Sequence, residues 1–182
     1  MPRLVSILCW ILLPGLAMAG GPEQSSNRSA FRLRLSEVRP GGMATDQRCT
    51  LIFPDRRFHH ETASSRLGRD LERKVYEGEL SEADWNALTG ILDRKEFHDL
   101  AVPRIAPPLV MPDLHIYTIS VARDGKFQNM EFLTDKSRKP YDSELKPLLQ
   151  WWKSFYGRRM LESQAPPDAQ CSPDNNSALF TE

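Results

Sequence analysis

From Phe31 the side chains alternate, Phe31, Leu33 and Leu35 against Arg32, Arg34 and Ser36, which is the period of a half-buried strand. Pro40-Gly41-Gly42 ends it. RCTLIFPDRRFHHETAS predicts a hairpin turning at Pro54-Asp55-Arg56-Arg57, where proline and aspartate favour chain reversal. Cys49, Leu51 and Phe53 fall on one face of that hairpin, and Phe58, His60 and Thr62 are expected to continue it on the return strand. A further strand is expected from Arg73 to Glu79.

The period then changes from two to that of a helix. Trp85, Leu88 and Leu92 form a stripe with Ile91 at its margin, and Phe97 and Leu100 fold back onto the core. Ser81 with Asp84 is a capping-box variant, and Leu80 with Trp85 supplies the hydrophobic staple. Glu82 and Asp84 sit where the helix dipole favours negative charge, and Arg94, Lys95 and His98 where it favours positive charge.

HIYTISVARDGKFQNMEFL carries its own test of register. Asp124-Gly125 suits a two-residue turn with positive φ at both central positions. Pairing Arg123 with Lys126 then sets Val121 opposite Gln128, Ile119 opposite Met130 and Tyr117 opposite Phe132, a largely apolar face. Ala122 with Phe127, Ser120 with Asn129 and Thr118 with Glu131 form the more polar one. In YDSELKPLLQWWKSFY a second helix is expected from Ser143 or Glu144, since Pro147 is tolerated only near the first turn. Its stripe is Leu145, Leu148, Leu149, Trp152 and Phe155 or Tyr156.

Together these predict an α+β fold, an antiparallel sheet of about 4–6 strands with two amphipathic helices packed on one face, in the order hairpin, helix, hairpin, helix. Leu88 and Leu92 have counterparts in Leu148 and Trp152, a loose internal duplication.

The two ends of the chain read differently. Arg3, the apolar run from Leu4 to Leu16 and Ala17-Met18-Ala19 make up a signal peptide, so residues 1–19 are expected to be removed and the protein secreted or periplasmic. That run is shorter than the roughly 20 residues of a membrane span, and no span is expected after cleavage. Residues 20–30 and 160–182 are polar and rich in Pro, Ser and Asn, and are expected to be disordered on either side of a single domain over 31–159. Asn27-Arg28-Ser29 and Asn175-Asn176-Ser177 fit the N-glycosylation pattern.

Charge removes one class of partner. Lys and Arg number 24, as do Asp and Glu, and the basic residues from Arg56 to Lys74 are interleaved with acids, so nucleic acid is not expected. Cys49 and Cys171 remain after processing, and export permits them to pair, the rival being a buried thiol and a loose one. There is no C-x-x-C.

Chemistry-bearing patterns are few. Strand alternation sends His59 and Glu61 to one face and His60 to the other, so a metal site would need His59 and Glu61 joined by His115 or His98. Surface histidines on a hairpin are the simpler reading, and no cofactor is expected. Ser143 and Lys146 have the S-x-x-K spacing without its companion motifs, which favours a helix start over an acyl-enzyme. G-x-S-x-G, H-E-x-x-H and phosphate-binding glycine loops are absent from the sequence. His98-Asp99 would need a cleft to act as an acid/base pair. In PRIAPPLVMPD, prolines including Pro107 and Pro108 stiffen a connection that carries Ile105, Leu109, Val110 and Met111. A pre-ordered apolar loop loses less entropy on meeting a partner. The alternative is a crossover whose apolar residues close the core.

RPGGM at Arg39 to Met43, then Leu80, Ser81, Trp85, Leu88, Leu92, Phe97 and Leu100, then Asp113, Tyr117, Ile119 and Val121, and a closing amphipathic helix, resemble emfourin-type proteins. The same plan is similar to that of uncharacterised exported bacterial α+β proteins. The resemblance covers Val38 to Tyr156 and implies a small inhibitor of thermolysin-like metallopeptidases. No inhibitory residue carries over, and the signal peptide, the tail and the hairpin around Phe58 to Glu77 depart from the family. The expected function is therefore an exported, non-enzymatic domain that binds a protein partner, with a secreted peptidase as the concrete case. A metal-assisted hydrolase using His59, Glu61 and His115, and an envelope accessory protein, are the alternatives.

Overall fold

In the computed structural model the described residues are 32–41, 43–103, 114–123, 126–158, 160–163 and 171. Seven antiparallel strands form one sheet in the order β6-β5-β1-β2-β3-β4-β7. The strands are β1 (Leu33–Pro40), β2 (Ala44–Ile52), β3 (Arg57–Arg66), β4 (Glu72–Glu79), β5 (Ile116–Arg123), β6 (Lys126–Phe132) and β7 (Glu162–Ser163). The helices are α1 (Glu82–Leu92), α2 (Lys95–His98), α3 (Asp135–Arg138) and α4 (Asp142–Tyr156), with a 3-10 turn at Lys139–Tyr141. The first four strands form a meander, and the β5-β6 hairpin returns to pair with the free edge of β1.

The sheet is larger than the 4–6 strands expected, because β7 is two residues long and has no period for a sequence to display. Glu162 and Ser163 pair with β4, and Cys171 is bonded to Cys49, so points of the chain beyond Arg159 are tied to the sheet. The β5-β6 register is the one that the two-residue turn dictates, from Arg123↔Lys126 to Tyr117↔Phe132.

At β2-β3 the expected face is wrong by one residue. Phe53 N–H donates to the Arg57 carbonyl at 2.9 Å, leaving three residues in the loop, and Arg56 takes positive φ (70°). That is the three-residue hairpin with a left-handed last position. Leu51 therefore lies opposite His59 and Cys49 opposite Glu61, while Phe58, His60 and Thr62 share a face with Ile52 and Thr50. Since the side-chain period is two, a slip of one flips the whole strand.

Ser81 caps α1 by accepting the Asp84 N–H at 3.1 Å, and its hydroxyl donates to Asp84 Oδ2 at 2.7 Å. Asp84 also holds Arg158 at 2.6 Å. The helix stops at Leu92 and Phe97 reaches the core from the separate turn α2, a break that the sequence reading did not anticipate. In α4 the buried residues are Leu145, Leu148, Trp151, Trp152 and Phe155, which adds Trp151 to the expected stripe. Leu88, Leu92, Leu145, Leu148, Trp152 and Phe155 share one buried cluster with Leu33, Leu35, Ile52, Ile119, Val121, Met130 and Phe132.

All of those strand residues lie on one sheet face, in rows across the strands. The first row runs Val121, Leu33, Ile52, Phe58, and the second Met130, Ile119, Leu35, Thr50, His60. The third runs Phe132, Tyr117, Glu37, Arg48, Thr62. Apolar side chains give way to charged ones from the second row to the third, and that change positions the site described next.

Candidate functional site

The polar third row is the floor of an open cleft of about 850 Å³ whose wall is α4. Glu37, Arg39, Arg48 and Tyr117 come from the strands, Arg138 from α3, and Asp142, Ser143, Lys146, Gln150, Lys153 and Tyr156 from α4. Lys146, Gln150 and Lys153 recur at the spacing of one helical face, so the helix that fills the core with Leu145, Leu148 and Trp152 turns a cationic edge to the cleft.

Glu37 anchors the floor. It is 4% exposed and is met by Arg39 at 2.8 Å, Arg48 at 3.2 Å and His115 Nε2 at 2.6 Å. Burial pushes its carboxyl up, but the hydrogen bond to His115 and the guanidiniums of Arg48 and Arg39 outweigh that and hold it below the usual carboxylate range. His115 is held at its other nitrogen by Asp135, 2.9 Å away. Tyr117, tilted against His115 at 4.3 Å, is pushed up to about 12 by burial and by the negative charge of Glu37, so its phenol keeps its proton.

Aromatic rings back the cations. The Arg48 guanidinium lies 4.6 Å from the Tyr156 ring and that of Arg138 lies 5.1 Å from Tyr117, within cation–π range. Behind Tyr156, His60 stacks at 6.1 Å and begins a buried relay. Trp152 Nε1 donates to Thr50 Oγ1 at 2.7 Å, and Thr50 Oγ1 lies 2.6 Å from His60 Nδ1. An indole N–H can only donate, so the Thr50 hydroxyl accepts it, and the same oxygen shares a hydrogen bond with His60 Nδ1. Burial, followed by the positive charges of Arg48 and His59, lowers the His60 pKa to about 4.

A second polar group lies on the opposite sheet face. His59 Nε2 meets Glu61 Oε1 at 2.5 Å and His59 Nδ1 meets Glu77 Oε1 at 2.8 Å. Burial disfavours the charged ring, yet the hydrogen bonds to Glu61 and Glu77 prevail and raise the His59 pKa, while those from His59 and the Cys171 N–H lower that of Glu61 against its own burial. The Cys49–Cys171 disulfide closes over this pair, with Cα atoms 5.9 Å apart.

The structure brings together only part of the sequence-predicted metal group. His59 and Glu61 meet, but His115 binds Glu37, which lies on the other face of the sheet, so the three do not converge. His98 and Asp99 are exposed and 3.2 Å apart, Asp99 is engaged by Lys95, and neither lines the cleft, so they form a surface pair. Ser143 and Lys146 both line the cleft, but Tyr141 is the residue before the helix, so Ser143 is not its cap. No hydrogen bond joins Ser143 to Lys146 among the described residues. Ile105, Pro107, Pro108, Leu109, Val110 and Met111 lie outside the described residues.

Glu37, Arg39 and Arg48, the charged floor of the cleft, are not singled out by sequence reasoning, although a signal exists. Glu37 and Arg39 continue the Leu33-Leu35 face, Arg48 the Ile52-Thr50 face, and Tyr117 the Val121-Ile119 face. Charged or phenolic residues at core-phase positions of three adjacent strands mark one address. No protein-family model matches the chain and no curated protein matches it.

Proposed function

We propose that the protein is an exported, non-enzymatic domain that binds another protein, and that the cleft receives an acidic segment of that partner. The carrying observation is charge. Five cationic side chains, Arg39, Arg48, Arg138, Lys146 and Lys153, line the cleft against the carboxylates of Glu37 and Asp142, in a chain with formal net charge zero. Arg39 and Arg48 share Glu37, and Arg138 pairs with Asp135 and Asp142, but Lys146 and Lys153 are exposed and form no ion pair among the described residues. A cleft of one sign attracts its complement and speeds encounter.

Binding is favoured over catalysis because the titratable groups are engaged with one another: His115 is clamped between two carboxylates, and Glu37 is held by two guanidiniums and an imidazole. In this reading the two longer helices cover one sheet face, as their shared apolar cluster supports, and leave the third row open. Export is supported by the signal-like first residues and by the Cys49–Cys171 bond, which persists in oxidising compartments. A secreted peptidase is the first partner to test, following the emfourin-type resemblance.

The test is fluorescence anisotropy with a labelled glutamate-rich peptide and its glutamine counterpart at low salt. The glutamate peptide is expected to bind at least about fivefold more tightly, and the double variant Lys146→Glu/Lys153→Glu to erase that preference. Equal binding of both peptides, or a preference untouched by charge reversal, overturns the cleft as the binding surface. Full activity of thermolysin-like and subtilisin-like enzymes under a molar excess of the protein removes the peptidase as partner.

A further inference from the structure

The group beneath the disulfide has the composition of a metal site whose sulfur ligands are tied to each other. His59, Glu61 and Cys171 each offer one ligand atom, and the three atoms lie within 4.8 Å of one another. Cys49 is bonded to Cys171, so its sulfur is at the same place, and its strand position faces Glu61. All four residues are buried, from 1% exposure at His59 to 7% at Cys171.

Three further details favour a metal over a plain ion pair. Glu77 holds His59 Nδ1 at 2.8 Å, the arrangement in which a carboxylate fixes the ring and leaves Nε2 for the ion. His59 Nε2 and Glu61 Oε1 lie 2.5 Å apart, and a sulfur, that of Cys171, belongs to the same cluster of ligand atoms. The Cys171 N–H donates to Glu61 Oε1 at 3.2 Å, so backbone as well as side chain fixes that carboxylate. Zinc bonds of about 2.3 Å to sulfur and about 2.0–2.2 Å to nitrogen or oxygen place tetrahedral ligands roughly 3.3–3.8 Å apart, so the atoms need to move by about an ångström.

We propose that reduction of the Cys49–Cys171 disulfide creates a buried tetrahedral site for a divalent zinc-class cation, ligated by Cys49, His59, Glu61 and Cys171 with Glu77 behind the histidine. The donor set of two thiolates, an imidazole and a carboxylate suits Zn²⁺ and disfavours Mg²⁺ or Ca²⁺, which take oxygen ligands. The same two sulfurs thus have two alternative closures, disulfide or metal. With a phosphine as reductant the step balances: the S–S bond breaks, each sulfur gains a proton from water, and the water oxygen passes to phosphorus as the phosphine oxide. Ion binding then releases both thiol protons, and with them any proton on His59 Nε2.

The whole protein, freed of metal, is titrated with Co²⁺ as a spectroscopic stand-in, once as the disulfide and once after phosphine reduction. Expected are one equivalent of Co²⁺ per reduced chain, thiolate-to-cobalt charge-transfer bands in the near ultraviolet, displacement by Zn²⁺, and no such bands in the disulfide form. Glu77→Gln keeps all four ligands and is expected to weaken binding about 10–100-fold. Bound Zn²⁺ should also slow reoxidation of the thiols. Absence of the bands in the reduced protein, whether it stays folded by circular dichroism or not, overturns the site, as does equal uptake by the Cys49→Ser/Cys171→Ser variant.

Discussion

Replacing Thr50 by valine removes one hydroxyl and nearly preserves the shape of the side chain. Thr50 is fully buried, and its oxygen serves two neighbours at once, accepting from Trp152 Nε1 at 2.7 Å and facing His60 Nδ1 at 2.6 Å. The variant strands an indole N–H and an imidazole nitrogen, 3% exposed at Trp152 and at His60, where water does not reach them. Each buried group left without its partner costs about 1–3 kcal/mol, and with partial relaxation the expected loss is about 2–4 kcal/mol. For a domain of this size that lowers Tm by about 4–16 °C. Urea titration followed by far-ultraviolet circular dichroism should show a lower midpoint at unchanged slope. In a double-mutant cycle with Trp152→Phe, which removes the N–H, the two losses should fall short of additive by about 1 kcal/mol or more. A loss under about 1 kcal/mol for Thr50→Val, or strict additivity, refutes the relay.

Acid should act in two stages. His60 is held at about 4 in the fold, against about 6.5 when unfolded, so between these values the unfolded chain binds the extra proton. Stability should therefore fall as pH drops through that window, by at most about 3 kcal/mol, and His60→Gln should flatten this limb of a urea-midpoint series. Glu37 and Glu61, both lowered, contribute stability that is lost at lower pH, below the ordinary carboxylate value. Cutting the disulfide by Cys49→Ser opens a loop of sequence separation 122 and should cost up to about 5 kcal/mol, read from the same titration. Ser81→Ala removes the α1 cap and should cost about 1 kcal/mol.

What could be read in the sequence depended on how local its cause is. The β5-β6 register follows from two turn residues and a period of two, both contiguous, and the structure reproduces it pair by pair. The β2-β3 face depended on whether three or four residues turn, and the deciding feature, positive φ at Arg56, is carried by a residue type that seldom adopts it. The end of α1 at Leu92 is followed by Asp93 and Arg94, with no glycine or proline just past it to mark the stop. The cleft is less legible still, since Glu37 and His115 meet between neighbouring strands but are 78 residues apart in sequence. His59 and Glu61 were placed on one face by alternation alone, but their third neighbour is set by a disulfide that spacing cannot pair.

The β5-β6 hairpin closing on β1 sets an order of events during synthesis. β1 ends at Pro40 and its outer neighbour β5 begins only at Ile116, so at ordinary elongation rates the β1 edge waits about 4–15 s for its partner. Over that interval β1, and from Glu79 onward the β1-β4 meander, exposes a row of unpaired backbone groups beside Leu33 and Leu35, a template for pairing with another chain. Nascent chains truncated before Ile116 should therefore aggregate or recruit a holding factor, and chains extended past Phe132 should not.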